Sequence, residues 1–250
     1  MRYLVQEQLF NHHMANSFFR FKQFTVHQED CAMKVCTDAC LQGAYTASSI
    51  PAASRILDIG TGTGLLSLML AQRFDSASIT AIELDEGAAA QAARNFAAAP
   101  WAGNMNVVRG DARELSLEEK YDLIITNPPF YEADLKSPDR LKNQAMHATT
   151  LNYAELLDVI DQHLSADGVF SILLPYTPFA TFEVLATQKG FFPHSVLHVK
   201  QSVQHDKFRT IAIFGRSPVP RKEETMSIRE AGNEYTSAFK ILLQPYYLYL

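Results

Sequence analysis

RILDIGTGTGLLSLMLAQRF, residues 55–74, is the stretch on which the fold turns. An apolar run short enough for a strand leads into glycines at every second position, and leucines at helical spacing follow. Strand, turn and helix are therefore written consecutively. Gly60, Gly62 and Gly64 let the backbone bend sharply and approach a ligand within van der Waals distance. Asp58 sits at the end of the strand that feeds this turn.

Outward from that unit the alternation continues. SITAIEL is a second strand, ending at Glu83, and EGAAAQAARNFAAA is an Ala-rich helix stopped by Pro100. MNVVRGDA supplies a third strand and YDLIIT a fourth, the latter halted by Pro128 and Pro129 because proline cannot serve a sheet interior. LNYAELLDVIDQHL places Tyr153, Leu156, Leu157, Ile160 and Leu164 on one helical face. GVFSILLP is a fifth strand. Thr177 and Pro178 read as the N-cap and first residue of the next helix, which Gly190 closes. HSVLHVK and RTIAIFGR then read as an antiparallel pair, and the tail as one helix with an aromatic terminus. The expected fold is α/β: a seven-stranded, mostly parallel sheet covered on both faces and ending in an antiparallel pair. Residues 1–49 are expected to form an N-terminal extension packed on a domain of residues 50–250.

Composition sets bounds. The 250 residues, 47% hydrophobic and 20% charged, suit one full-sized domain with a modest appendage. No run approaches the roughly 18 apolar residues of a membrane span, and the first twenty residues lack a signal peptide's apolar block, so a cytoplasmic protein is expected. Cys31, Cys36 and Cys40 are odd in number and lack a fourth ligand, which points to reduced thiols and no metal. Net charge is −5, yet residues 194–222 hold six basic residues (Lys200, Lys207, Arg209, Arg216, Arg221, Lys222) against Asp206 alone. That segment reads equally as a phosphate-binding patch or as a solvated hairpin of mixed surface.

Three strand ends carry candidate chemistry. Glu83 can accept both hydroxyls of a ribose, and Asp111 closes the third strand, where methyltransferases, which the motifs below resemble, place an acid or a backbone amide against the adenine ring. Gly62, Gly64 and Ser67 also come close to a dinucleotide loop, which keeps a nicotinamide cofactor open as an alternative. The glycine loop resembles motif I of class I methyltransferases, which wraps the methionine half of S-adenosylmethionine. Asn127-Pro128-Pro129-Phe130, after the fourth strand, resembles motif IV of methyltransferases that act on an amino group conjugated to a planar ring. Such an amine is a poor nucleophile. The Asn127 side-chain oxygen and the Pro128 carbonyl can each accept one of its hydrogens, while Phe130 stacks on the base.

The segment before the core narrows the choice. Phe21-Lys22-Gln23-Phe24, Met33-Lys34-Val35, Thr37-Asp38 and Gly43-Ala44 resemble the bacterial tRNA1(Val) (adenine-37-N6)-methyltransferases, and the resemblance continues to the closing aromatic segment. It implies the Rossmann-like class I fold, S-adenosylmethionine as cofactor, and tRNA as partner, through the adenine 3′ of a valine anticodon. It further implies that Lys34, Thr37 and Asp38 lie near the cofactor or substrate entrance, and that residues 132–150 form a lid. No membrane and no obligate protein partner are implied. Cys36 and Gln42 depart from the family's usual Gly and Leu, as do Met146 and Ala148, which flank His147 where many relatives carry Arg and an acid. Methylation of a protein glutamine or of guanine N2 in ribosomal RNA remains an alternative, and binding without catalysis a more distant one.

Overall fold

The structure is a computed structural model that describes residues 17–29, 34–115, 117–129 and 151–250. The elements are β1 (Phe18–Arg20), β2 (Thr25–His27), α1 (Thr37–Ser49), β3 (Arg55–Ile59), α2 (Leu65–Arg73), β4 (Ser78–Glu83), α3 (Glu86–Ala97) and β5 (Met105–Arg109). They continue as β6 (Tyr121–Thr126), α4 (Tyr153–His163), β7 (Leu164–Pro175), α5 (Tyr176–Gln188), β8 (Phe192–Ser202), β9 (Lys207–Gly215), β10 (Lys222–Arg229) and α6 (Ser237–Leu243).

β3 lies in the middle of the large sheet, whose order is β10-β8-β9-β7-β6-β3-β4-β5. It pairs in parallel with β4 on one side and β6 on the other. Strand order reverses there, and a crevice opens beyond the carboxyl ends of the three strands. β9 runs antiparallel to both β7 and β8, so the sheet carries the expected antiparallel pair. The sheet has eight strands among the described residues, one more than expected. The extra strand, β10 (KEETMSIR), pairs in parallel with β8. Its first four residues are exposed, so it presents a charged edge and not the apolar run by which a buried strand is recognised.

The sheet divides the core in two. Successive side chains of a strand point to opposite faces, so Ile56 joins the layer formed with α1, α2 and α6 while Leu57 joins that of α4 and α5. Both are fully buried, worth roughly 1.5–3 kcal/mol each. Helix α1, assigned by sequence to the N-terminal extension, is a core element: Cys40 and Leu41 have no exposed surface. Burial pushes the thiols of Cys36 and Cys40 up to about 12, which keeps them protonated. Cys31 lies outside the described residues. Asn152 and Glu155 form a reciprocal cap on α4. Helix α5 begins one residue earlier than its proposed cap, because Pro175 ends β7 and Tyr176 already has helical partners.

The Phe21–Phe24 motif is a clasp between the chain's two ends. Phe21 stacks on Phe24 at 4.6 Å and meets Tyr247 at 5.9 Å, while the Lys22 N–H donates to the Tyr246 carbonyl at 2.8 Å. No described helix is long and apolar enough to cross a membrane.

Candidate active site

The glycine loop is shaped by the carboxyl group of Asp58. Its Oδ2 accepts from the hydroxyls of Thr61 at 2.6 Å and Ser67 at 2.7 Å, tying strand end, loop and first turn of α2 together. Asp58 is completely buried, its Oδ1 has no partner among the described residues, and burial raises its pKa to about 6. It shapes the loop and does not line the cavity beside it. Gly60, Gly62 and Gly64 have φ of +73°, +57° and +83°, the left-handed region that other residues avoid. A Cβ on Gly64 would lie 2.5 Å from the Phe96 ring, whereas Gly60 and Gly62 face open space. The loop is also held from outside. Gly60 and Thr61 N–H donate to the Ile82 carbonyl. Asn95, a buried amide on the Ala-rich α3, donates to the carbonyls of Thr63 at 2.8 Å and His27 at 2.9 Å.

Glu83, at the end of β4, accepts from Gly62 N–H through Oε2 and from Asp85 N–H through Oε1. Each oxygen keeps a lone pair for a further donor. Asp111 follows β5 and is gripped by Arg113, whose Nε lies 3.0 Å from Oδ1 and whose Nη2 lies 2.5 Å from Oδ2. Hydrogen bonds from Arg113 hold the Asp111 carboxyl below its usual range, so it is an anion near neutral pH. Gly60, Glu83, Asp111, Thr126, Pro128 and Pro129 converge on one cavity of about 540 Å³, with Ile82, Leu84 and Leu156 adding apolar wall.

The fourth strand delivers Asn127 to the rim of this crevice. Thr126 locks the strand end: its hydroxyl donates to the Ile59 carbonyl at 2.9 Å and its own carbonyl accepts from Gln42 Nε2 at 2.8 Å. The next residue, Asn127, carries a buried Oδ1 with no hydrogen-bond partner among the described residues. Its chain neighbours Thr126 and Pro128 line the cavity, placing Asn127 on the same turn. Phe130, His147 and residues 132–150, the stretch expected to form a lid, lie outside the described residues.

Other sites proposed from sequence fall elsewhere. Lys34 is exposed and borders neither this cavity nor the next. Thr37 and Asp38 line a different cavity, between α1 and the ends of β8 and β10. The basic stretch is largely neutralised by the fold: Arg209 pairs with Asp38, Arg216 with Asp161, Arg221 with Glu183 and Glu223, and Lys222 with Glu224. Sequence reasoning missed Asn95, Gln42 and Arg113. The first two carried one usable signal, a polar amide on a helix face otherwise small and apolar.

A glycine loop clipped to an acidic strand end, across a crevice from an Asn-Pro-Pro turn, defines the class as a Rossmann-like methyltransferase domain. Residues 43–192 match the family described as methyltransferase small domain. The chain belongs to the tRNA1(Val) (adenine(37)-N6)-methyltransferase family: it is 41% identical over 238 residues to the member from Bacteroides fragilis (strain YCH46), covering 94% of this chain and 99% of that one. A second member, from Dyadobacter fermentans, is 42% identical over 237 residues, covering 93% and 98%. Among solved structures, a predicted O-methyltransferase from Agrobacterium tumefaciens superposes with a TM-score of 0.61 at 17% identity, covering 83% of this chain and 96% of that one. The glycopeptide N-methyltransferase MtfA complexed with S-adenosyl-L-methionine gives 0.54 at 12%, covering 75% and 97%. These two share the fold.

Proposed function

We propose that this chain transfers a methyl group from S-adenosylmethionine to N6 of adenine 37 of tRNA1(Val). The observation that carries the proposal is the buried Oδ1 of Asn127, without a partner among the described residues, on the turn that also walls the cavity of the glycine loop. An acceptor stripped of water and given no partner costs about 1–3 kcal/mol, a cost offset when an amine hydrogen arrives. The names of the relatives supply the particular amine.

The cavity fits S-adenosylmethionine. Gly60 lines the cavity with open space where a Cβ would stand, Glu83 has lone pairs for ribose hydroxyls, and Ile82, Leu84 and Leu156 offer apolar surface to an adenine ring. When bound, the group supplies a sulfonium-activated methyl. The protein orients the acceptor amine. Asn127 Oδ1 and the Pro128 carbonyl each take one N6 hydrogen, drawing the nitrogen lone pair out of conjugation and toward the methyl carbon. Phe130 is assigned the face of the base, worth about 1–3 kcal/mol by stacking. As the N6–carbon bond forms the sulfur–carbon bond breaks, and the surplus amine proton passes to solvent. Such a substrate places the enzyme in the cytoplasm.

The test is transfer of labelled methyl to unmodified valine tRNA. Label recovered as N6-methyladenine, and lost when adenine 37 is replaced by guanine, is the expected result. Label found only in guanine or in protein rejects the reading.

A further inference from the structure

The second cavity, also about 540 Å³, is bordered by the β8–β9 turn, the end of β10 with its following turn, and the start of α1. β8 is antiparallel to β9, which is antiparallel to β7, so β8 runs with the parallel core strands, and β10 runs with β8. The carboxyl ends of β8 and β10 therefore open on the same sheet edge as the glycine loop and Asn127. Between β6 and β8 lie three strand spacings, or about 14 Å. One nucleic acid strand laid along that edge would pass both cavities.

The lining has a recognisable chemistry. Phe208 and Tyr235 give ring surface, and the Arg229 guanidinium lies 4.4 Å over the Tyr235 ring. Gln201, Gln204 and Asn233 add amide groups, each able to donate and accept. The walls are set in advance. Ser202 Oγ bonds His205 Nδ1 at 2.6 Å and accepts from Gln204 N–H, and Glu230 N–H donates to the Glu234 carbonyl across the other turn. Asp38 on the rim is countered by Arg209 at 2.9 Å, which leaves Glu230 to offset Arg229. A phosphate would ask for clustered cations. Flat apolar surface with amides around it suits a nucleobase, apolar on its faces and polar on its edge.

We propose that this cavity is a subsite for one base of the anticodon loop, splayed out beside the target adenine. The inference rests on the tRNA reading above. It also gives Thr37 and Asp38, which border the cavity, a place at the substrate entrance and not at the cofactor.

The experiment measures steady-state methylation of valine tRNA by the full chain, alongside S-adenosylmethionine affinity. Phe208→Ala and the double variant Gln201→Ala/Gln204→Ala are compared with the parent. The expected result is a KM for tRNA raised about tenfold in Phe208→Ala, the scale of one lost base stack. The double variant should show a several-fold rise, with cofactor affinity held in both. Gln201 and Gln204 are exposed, so their removal leaves the fold intact even if the loss of Phe208 does not. A KM for tRNA unchanged in the double variant overturns the subsite while the methyltransferase reading stands. A parent protein that methylates no tRNA removes that reading, and the subsite with it.

Discussion

Glu83 Oε2 accepts the backbone N–H of Gly62 at 2.8 Å, so the residue expected to bind a ribose also holds the loop meant to cradle the rest of the cofactor. One carboxylate thus couples the shape of the loop to its charge. A hydrogen bond to an ionised acceptor contributes about 1.5–3 kcal/mol. Glu83→Ala should weaken S-adenosylmethionine binding about 10- to 100-fold by calorimetry, and Glu83→Gln, which keeps an acceptor for Gly62, should weaken it less. Equal losses in the two variants would show that charge alone matters and the clip does not.

Asp58 should leave a mark on stability against pH. Burial raises its folded pKa to about 6 from its ordinary value of 3.8. Below the lower value the group is protonated whether folded or unfolded; between the two, only the unfolded chain releases the proton. Stability is therefore fully present at low pH, declines as pH rises from about 4 to 6, and stays reduced above that. The shift corresponds to about 3 kcal/mol. Asp58→Asn has no charge to bury, so its stability relative to the parent should improve by roughly that amount between pH 4 and pH 7.5, read from denaturant midpoints of the ligand-free protein. A difference that does not vary with pH would show that the buried carboxyl is not the titrating group.

Two glycines of the same loop should fail differently. Both Gly62 and Gly64 hold left-handed backbone, which costs an alanine about 1–2 kcal/mol. A methyl on Gly64 also collides with Phe96, a ring buried against the core, whereas one on Gly62 meets nothing. Gly64→Ala should lower the melting temperature clearly more than Gly62→Ala does. If the two melt alike, Phe96 yields more readily than its packing indicates.

Asn127→Ala removes the unpartnered oxygen without touching Glu83 or the glycines. Turnover on valine tRNA should fall at least a hundredfold while cofactor affinity changes little, because the amide is asked to act on the acceptor amine. A loss of cofactor binding equal to the loss of turnover would place Asn127 in the cofactor site instead.

Much of this arrangement is legible in the sequence. Local signals were strong wherever one residue type does one job: glycines that must turn, prolines that must end β6, apolar runs buried on both faces. What escaped was the pairing of distant groups. Gln42 reaches Thr126 across 84 residues, and nothing in the chain names that partner. β10 escaped because its exposed Lys-Glu-Glu start looks like a loop; Thr37, expected near the cofactor or substrate entrance, borders the second cavity, and a helix N-terminus does not announce which crevice it borders.

The basic stretch illustrates the same point and supplies a separate test. Its six cations look like a grip for phosphate, but Arg209, Arg216, Arg221 and Lys222 each face a carboxylate. Lys200 and Lys207 have no carboxylate partner among the described residues; Lys200 donates to a carbonyl and Lys207 sits over the Tyr176 ring. Lys200→Glu with Lys207→Glu should therefore weaken tRNA binding and flatten its dependence on salt, since each phosphate contact contributes a share of counterion release. Arg216→Ala should instead cost stability, about 1 kcal/mol for a partly exposed pair, and leave the salt slope unchanged. The reverse outcome would mean that tRNA displaces the internal carboxylates on binding, and that the ion pairs seen here are the resting state of a phosphate site.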